Sequence, residues 1–212
     1  MIRFLFLLGG TFILSSPFFA QKNFEASLKM GLTASQISGD NKTGFGQFGM
    51  YAGSMITYPL KNDWSMASGI FFNQKGARRY QSLGNVSTYR LRVNYIDVPI
   101  LMMYHWKDFN FSAGSAFNVK INQRERTEFG EIEDERIFKP IELAFQLGAG
   151  YTISDKLRLH LNYQNSILPV RIHGENYIVN TIPNSIVEEW HQTLLNKGQY
   201  FSSLSLMFAY RF

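Results

Sequence analysis

Apolar and polar residues alternate along most of the chain after Gln21. The alternation is clearest over 109–121, 141–153 and 157–164. Successive side chains of a strand point to opposite faces, so a period of two predicts β-strands with one apolar face and one polar face. Less regular segments of the same kind predict five further strands, at 24–38, 45–58, 64–76, 88–104 and 199–212.

The connections between these strands alternate in length. Three are tight turns, at 59–63, 105–108 and 154–156. Four are longer and would lie at the opposite end, at 39–44, 77–87, 123–140 and 167–198. Several strands reach the roughly 9–11 residues that a tilted strand needs to cross a bilayer. The pattern predicts an all-β protein, an eight-stranded antiparallel up-and-down transmembrane β-barrel with both termini in the periplasm.

A soluble barrel of the lipocalin type is the alternative, because alternation does not say which face is inside. The polar face is rich in Gly, Ala, Ser and Asn, whereas the apolar face is bulky. Small residues suit a narrow eight-stranded interior, which favours the membrane barrel. Aromatic residues near the strand ends predict the girdles found at membrane interfaces. They are Tyr58, Trp64, Tyr104, Trp106, Phe109, Tyr151, Tyr210 and Phe212.

Composition and the first residues bear on location. Arg3, the apolar segment 4–14 and Ala20 form the pattern of a signal peptide cleaved before Gln21. We therefore expect a signal peptide at 1–20 and an outer-membrane barrel domain at 21–212. A membrane anchor is the alternative, but the apolar segment is shorter than the ~20 residues of a spanning helix.

The chain has no Cys, which excludes disulfides and thiolate metal sites. Its net charge of +5 comes without a long basic run, which argues against nucleic acid.

Residues 184–198 break the period of two. Ile186, Trp190 and Leu194 recur every four residues, and Ser185 with Glu188 has the spacing of a capping box. This pattern predicts a short helix in the last extracellular loop. Its apolar contact residues would pack over the barrel's mouth, lie in the outer-leaflet interface or meet a partner.

Titratable residues occupy positions on the polar face that would line the lumen. They are Glu25, Lys75, Asp97, Lys120, Glu142, Arg158, His160 and Arg211. Buried charges need partners, so we expect a network of salt bridges that fills the barrel. Hairpin geometry suggests a Lys120–Glu142 pair, and Glu25 and Arg211 lie near the ends that meet at closure. A narrow ion path is the alternative, although eight strands leave little open bore.

The remaining candidate chemistry is sparse. His160 lies on the polar face, His105 in a turn, and His173 and His191 in the last long loop, so no catalytic triad or metal-ligand spacing is formed. We therefore expect a non-enzymatic protein without cofactors.

The third long loop, 123–140, mixes both signs of charge. It is typical of a solvated extracellular loop. Alternatively, Arg124, Arg126 and Arg136 would contact lipopolysaccharide phosphates or a partner protein.

The end of the chain and several segments resemble a known family. Phe208, Tyr210 and Phe212 alternate up to the last residue, which looks like the assembly signal read by the barrel-assembly machinery. The segments SLKMGLTASQISGD, GIFFNQKGAR, NYIDVPILMMY, AGSAFNV, NSILPVR and NKGQYFSSLSLMFAYRF resemble the outer-membrane β-barrel family of Bacteroidota labelled PorT-like or porin family.

This resemblance implies a barrel in the bacterial outer membrane, in contact with its lipid and lipopolysaccharide. The family is too broad to imply a role. We expect a non-enzymatic structural or interaction protein of the cell envelope, and service to a secretion or surface complex, through an envelope partner at the extracellular loops, is one form of that role. A narrow channel for small solutes or ions is the alternative.

Overall fold

The computed structural model describes residues 24–38, 44–79, 89–127, 130–132, 138–171 and 198–212. Over these ranges the secondary structure is β throughout. The strands are β1 Glu25–Ser38, β2 Gln47–Pro59, β3 Trp64–Arg79, β4 Tyr89–Trp106, β5 Phe109–Thr127, β6 Gly130–Ile132, β7 Ile141–Thr152, β8 Leu157–Ser166 and β9 Tyr200–Arg211. Within these same ranges, no helix has the length and apolar character that crossing a membrane requires.

Eight of these strands close into one antiparallel barrel. Each long strand pairs with the next along the chain, β5 pairing directly with β7. The ring is closed by β9, which pairs with β1 from Ser27↔Arg211 to Ser38↔Tyr200. The short β6 pairs with β5 outside the ring. Closure satisfies the backbone hydrogen bonds that lipid cannot satisfy, and it confirms the predicted eight-stranded architecture.

The two ends of the barrel differ as the sequence predicts. Short turns at 60–63, 107–108 and 153–156 share one end, and the turn after β4 uses a left-handed backbone at Lys107, with φ 53°. In outer-membrane barrels this end faces the periplasm. Several predicted connections begin too early: residues 77–79 continue β3, residues 105–106 continue β4 and residues 123–127 continue β5 as a strand paired with β4.

The outward face is the bulky apolar one. All the aromatic residues predicted to form a girdle are exposed, and they lie at the short-turn end. Neighbouring rings touch around the barrel, with centroids 5.1 Å apart for Trp64 and Tyr104 and 5.2 Å apart for Phe109 and Tyr151. The membrane orientation of the two faces is therefore the predicted one.

The interior holds larger side chains than the pattern of small residues indicates. Phe71, Tyr51 and Met103 are buried in a cluster inside the barrel. Gly53 and Gly69 leave the space, because a Cβ added at either would lie 2.7 or 2.8 Å from the Phe71 ring. Large and small residues thus alternate inside the wall, as in other small barrels.

Some predictions fall outside the described residues. These are the signal peptide at 1–20, the helix with Ile186, Trp190 and Leu194, and the contact assigned to Arg136. They stay predictions.

Candidate functional site in the barrel interior

A buried ion pair crosses the middle of the lumen. Lys75 Nζ on β3 donates to both carboxylate oxygens of Glu142 on β7, at 3.1 and 3.2 Å. Each side chain is only 1% exposed. Two strands, β4 and β5, separate β3 from β7 in the ring, so the pair spans the interior. Ser166 Oγ also donates to Glu142, at 2.7 Å, which holds the carboxylate in place.

Asp97 on β4 extends this pair into a network. Its Oδ2 accepts a hydrogen bond from Asn73 at 2.7 Å and a longer one from Gln164, on the far wall, at 3.5 Å. Asn118 lies between the charges: with its amide nitrogen 3.2 Å from Asp97 Oδ1, its oxygen lies 2.9 Å from Lys75 Nζ. Amides and a hydroxyl therefore supply the hydrogen bonds that buried charges require.

Aromatic rings fill the lumen beside the network. Tyr95 on β4 and Phe201 on β9 lie on opposite walls, yet their ring centroids are 6.0 Å apart. Phe138, from the segment before β7, stacks on Phe201 at 5.5 Å. Lys75 Nζ lies 5.2 Å from the centre of the Tyr95 ring, within the range of a cation–π contact.

A second buried ion pair lies at the extracellular mouth. Arg171 donates to Glu125 at 2.9 Å, and the Tyr89 hydroxyl donates to the other oxygen of Glu125 at 2.9 Å. This mouth lies above the apolar band. Burial, aided by the neighbouring Glu125 carboxylate, raises the pKa of the Tyr89 phenol, so Tyr89 stays a neutral donor. The Arg171 guanidinium also lies 4.8 Å from the centre of the Phe138 ring.

Sequence reasoning missed this mouth cluster. The sequence pattern places Glu125 and Arg171 in long loops. Gln123, Glu125 and Thr127 do face inward, but the bulge at Ile121 moves the inward face of β5 from even-numbered to odd-numbered positions, so the alternation before the bulge does not lead to them.

The periplasmic end holds a third group of charges. Glu25 accepts hydrogen bonds from Arg158 at 3.0 Å and from Arg211 at 3.2 Å. His160 and Lys29 line the same cavity. Lys29 is buried but was not among the predicted residues, although it shares the inward face of β1 with Glu25.

The predicted pairing of Lys120 with Glu142 is wrong. Lys120 Nζ donates to Phe138 O and, at 3.0 Å, to Gln123 Oε1. The strand register places Asn118 opposite Glu142, and a bulge follows at Ile121, so the distance from the loop centre did not give the partner. The other seven predicted positions face the interior and gather in two places. Lys75, Asp97 and Glu142 meet at the centre, and Glu25, Arg158, His160 and Arg211 meet at the periplasmic end.

One contact has the form of a nucleophile with its base. Ser65 Oγ and His105 Nε2 are 2.8 Å apart. Ser65 is only 2% exposed, so a substrate would not reach its hydroxyl. In the part of the chain that the structure describes, no three His, Asp or Glu residues are grouped so as to hold a metal ion.

Comparison with solved structures finds similar barrels of the same size. Ail, the attachment invasion locus protein of Yersinia pestis, is 14% identical; the match covers 90% of this chain and 99% of that chain, with a TM-score of 0.46. Neisserial surface protein A is 13% identical; the match covers 89% of this chain and 97% of that chain, with a TM-score of 0.46. OprG from Pseudomonas aeruginosa is 11% identical; the match covers 90% of this chain and 96% of that chain, with a TM-score of 0.44. A comparison with curated proteins found no match.

Comparison with protein families gives a direct assignment. Residues 19–170 match the family described as Outer membrane protein beta-barrel domain. This region covers most of the 212 residues and includes seven of the eight strands of the ring. The chain therefore belongs to the outer membrane protein β-barrel domain family and is a protein of the bacterial outer membrane.

Proposed function

We propose that this chain is a non-enzymatic structural or interaction protein of the cell envelope, whose closed barrel presents its outer wall and extracellular loops to other molecules. One observation carries the proposal: side chains from opposite walls meet across the lumen. The Lys75–Glu142 pair and the Tyr95–Phe201 contact both span the interior.

An ion that crosses the barrel would have to break the contacts that fill the lumen. A passing ion would have to separate a buried, hydrogen-bonded ion pair, which leaves charges unpaired at a cost of several kcal/mol, roughly 3–5. It would also have to displace the rings of Phe138 and Phe201 above that pair. This arrangement supports a structural role over transport.

A narrow channel is the second candidate, and the periplasmic cavity favours it. Lys29, Arg158 and Arg211 line this cavity together with His160, against the single carboxylate of Glu25. An excess of positive charge in a cavity concentrates anions, as the entrance of an anion pore does.

Conductance in planar bilayers separates the two functions. For the closed barrel we expect no steady current from the purified protein. Lys75→Ala and Glu142→Ala combined with Phe201→Ala should then open a measurable path, because this change removes the ion pair and the ring that Tyr95 and Phe138 contact across the lumen. The matched control is Lys61→Ala with Glu131→Ala, which removes the same charged residue types from exposed positions. Steady single-channel current from the unmodified protein would contradict the closed barrel and support the channel.

We also propose, more specifically, that the chain belongs to the PorT-like group of Bacteroidota and acts beside a secretion or surface complex. The support is the resemblance of its segments, such as NYIDVPILMMY, to that group. Extraction of native outer membranes in mild detergent, followed by mass spectrometry of co-purified proteins, tests the assignment. A reproducible envelope partner is expected, and a barrel that purifies alone from cross-linked membranes would argue against it.

A further inference from the structure

The outer wall of the barrel carries a concentration of arginines near its extracellular end. We call it the arginine patch, and it lies on three adjacent strands. Its members are Arg78 on β3, Arg90 and Arg92 on β4, and Arg124 and Arg126 on β5.

These side chains face away from the lumen. Leu91 and Val93 on β4 are fully buried inside, as is Glu125 on β5. Because strand side chains alternate, the residues between them point outward. The patch is therefore separate from the charged network of the interior.

The register sets like charges side by side. Arg90 pairs across the sheet with both Arg78 and Arg126, and Arg92 pairs with Arg124. Arg78 and Arg90 have interactions of their own, and Arg126 forms an exposed pair with Glu131 at 3.8 Å. Like charges directly opposite one another destabilise a sheet, so an anion between Arg92 and Arg124 would relieve their repulsion. Neither Arg92 nor Arg124 forms an ion pair with any residue that the structure describes.

The patch begins just above the apolar band. On β4 the outward residues from Trp106 to Ile96 are apolar or aromatic, over a height of about 25 Å at the usual rise and tilt. A polar row follows, in which Asn94 bonds to Gln74 at 3.0 Å and to Asn122 at 2.8 Å.

Height above the band identifies the layer that the patch meets. Arg92 is four residues beyond Ile96, which places its backbone about 10 Å above the apolar band. The polar headgroup layer extends roughly 5–8 Å beyond the hydrocarbon, within reach of a long arginine side chain. The guanidinium groups of Arg92 and of Arg124 opposite it can therefore reach the outer-leaflet headgroups, whereas the backbones of Arg78, Arg90 and Arg126 lie about 5 Å higher.

Among the described residues, the outward-facing arginines are confined to β3, β4 and β5. Asn165, Ser202 and Gln36, at outward positions of β8, β9 and β1, form one uncharged row. A general attraction to the membrane surface would not require such asymmetry.

We propose that the arginine patch binds the phosphate groups of lipopolysaccharide, the phosphorylated glycolipid of the outer leaflet. Guanidinium groups match phosphate oxygens with paired hydrogen bonds, and two facing rows of them can hold more than one phosphate. This inference requires only the membrane-spanning barrel. A conducting barrel would overturn the proposed function and leave this inference intact.

The test compares lipopolysaccharide held by purified barrels after identical detergent washing, measured as lipid phosphate and sugar per protein. Arg92→Gln with Arg124→Gln should lower retention about tenfold, because it removes two charge-assisted contacts. Lys61→Gln with Lys156→Gln, two exposed periplasmic charges, is the matched control and should retain the wild-type amount. The heat shift of gel mobility verifies that each variant is folded.

Three probes separate the possible anions. Intact lipopolysaccharide, enzymatically dephosphorylated lipopolysaccharide and heparin are titrated against the detergent-solubilised protein. We expect tight binding of the intact lipid alone, weakened by Arg92→Gln with Arg124→Gln and by added salt. Equal binding of the dephosphorylated lipid, or stronger binding of heparin, would overturn the proposal. Unchanged lipopolysaccharide retention by Arg92→Gln with Arg124→Gln would also overturn it. That result would favour binding of the arginines to the acidic residues of segment 128–135 in the same chain.

Discussion

Replacing Lys75 by Met should destabilise the barrel more than any surface change. The substitution keeps an unbranched side chain that is one atom shorter, and it removes the charge that neutralises Glu142. Glu142 would keep its hydrogen bond from Ser166 and would remain buried in the same network as the Asp97 carboxylate.

The structure sets the magnitude. Both members of the pair are 1% exposed, so water does not replace the lost partner. Removing one member of such a pair costs about 3–5 kcal/mol. Loss of the cation–π contact with Tyr95 adds up to about 1 kcal/mol. Changing Glu142 to Gln in the same chain should recover about 2 kcal/mol, because an uncharged pair needs no neutralisation.

Urea unfolding in lipid vesicles, followed by tryptophan fluorescence, measures these free energies. The two single variants and the double variant form a cycle, and we expect a coupling of about 2 kcal/mol or more. Arg126→Met is the control, since its exposed pair with Glu131 should contribute less than about 1 kcal/mol. A Lys75→Met cost equal to that control, with no coupling to Glu142, would refute the buried network.

Three other outcomes test the fold and its assembly. Unboiled protein should migrate faster on a denaturing gel than boiled protein, because the closed barrel resists detergent; no shift would contradict closure. Phe212→Ser should lower the amount of protein inserted in the outer membrane at native expression, since Phe212 packs on Tyr210 with ring centroids 5.5 Å apart. Unchanged levels after membrane fractionation would contradict this. Gly53→Val should cost about 1–3 kcal/mol or more, because its Cβ would collide with the Ile70 carbonyl oxygen and lie 2.7 Å from the Phe71 ring, whereas Ser54→Val on the outward face should be tolerated.

The strands were predictable because the two sides of the wall face different surroundings. Lipid outside and a polar lumen inside impose a period of two, and residues 109–121 display it over their whole length. Above the membrane the contrast disappears. Arg124 points away from the lumen and Glu125 points into the mouth, so both faces are polar and the end of β5 has the pattern of a loop.

Partners across the lumen were not predictable in the same way. Lys75 meets Glu142 because ring closure curves β3 toward β7, and the closing geometry depends on strand tilt and stagger. Neither quantity is visible in a single sequence. The composition of the polar face did indicate that charges would meet inside. It did not indicate which ones, and the pairing chosen from one hairpin was therefore wrong.

The pairing of β1 with β9 has a consequence for biogenesis. Ser27 and Arg211 are joined in the sheet although 184 positions separate them along the chain. Contacts of such long sequence separation form slowly, because a large loop must be ordered before they stabilise the product. β9 also follows the other strands of the ring along the chain, so it is synthesised after them. Until it arrives, β1 and β8 each present an unpaired edge that can add strands from another chain. The nascent protein must therefore be shielded during its whole passage through the periplasm, and a truncated chain would keep a reactive edge.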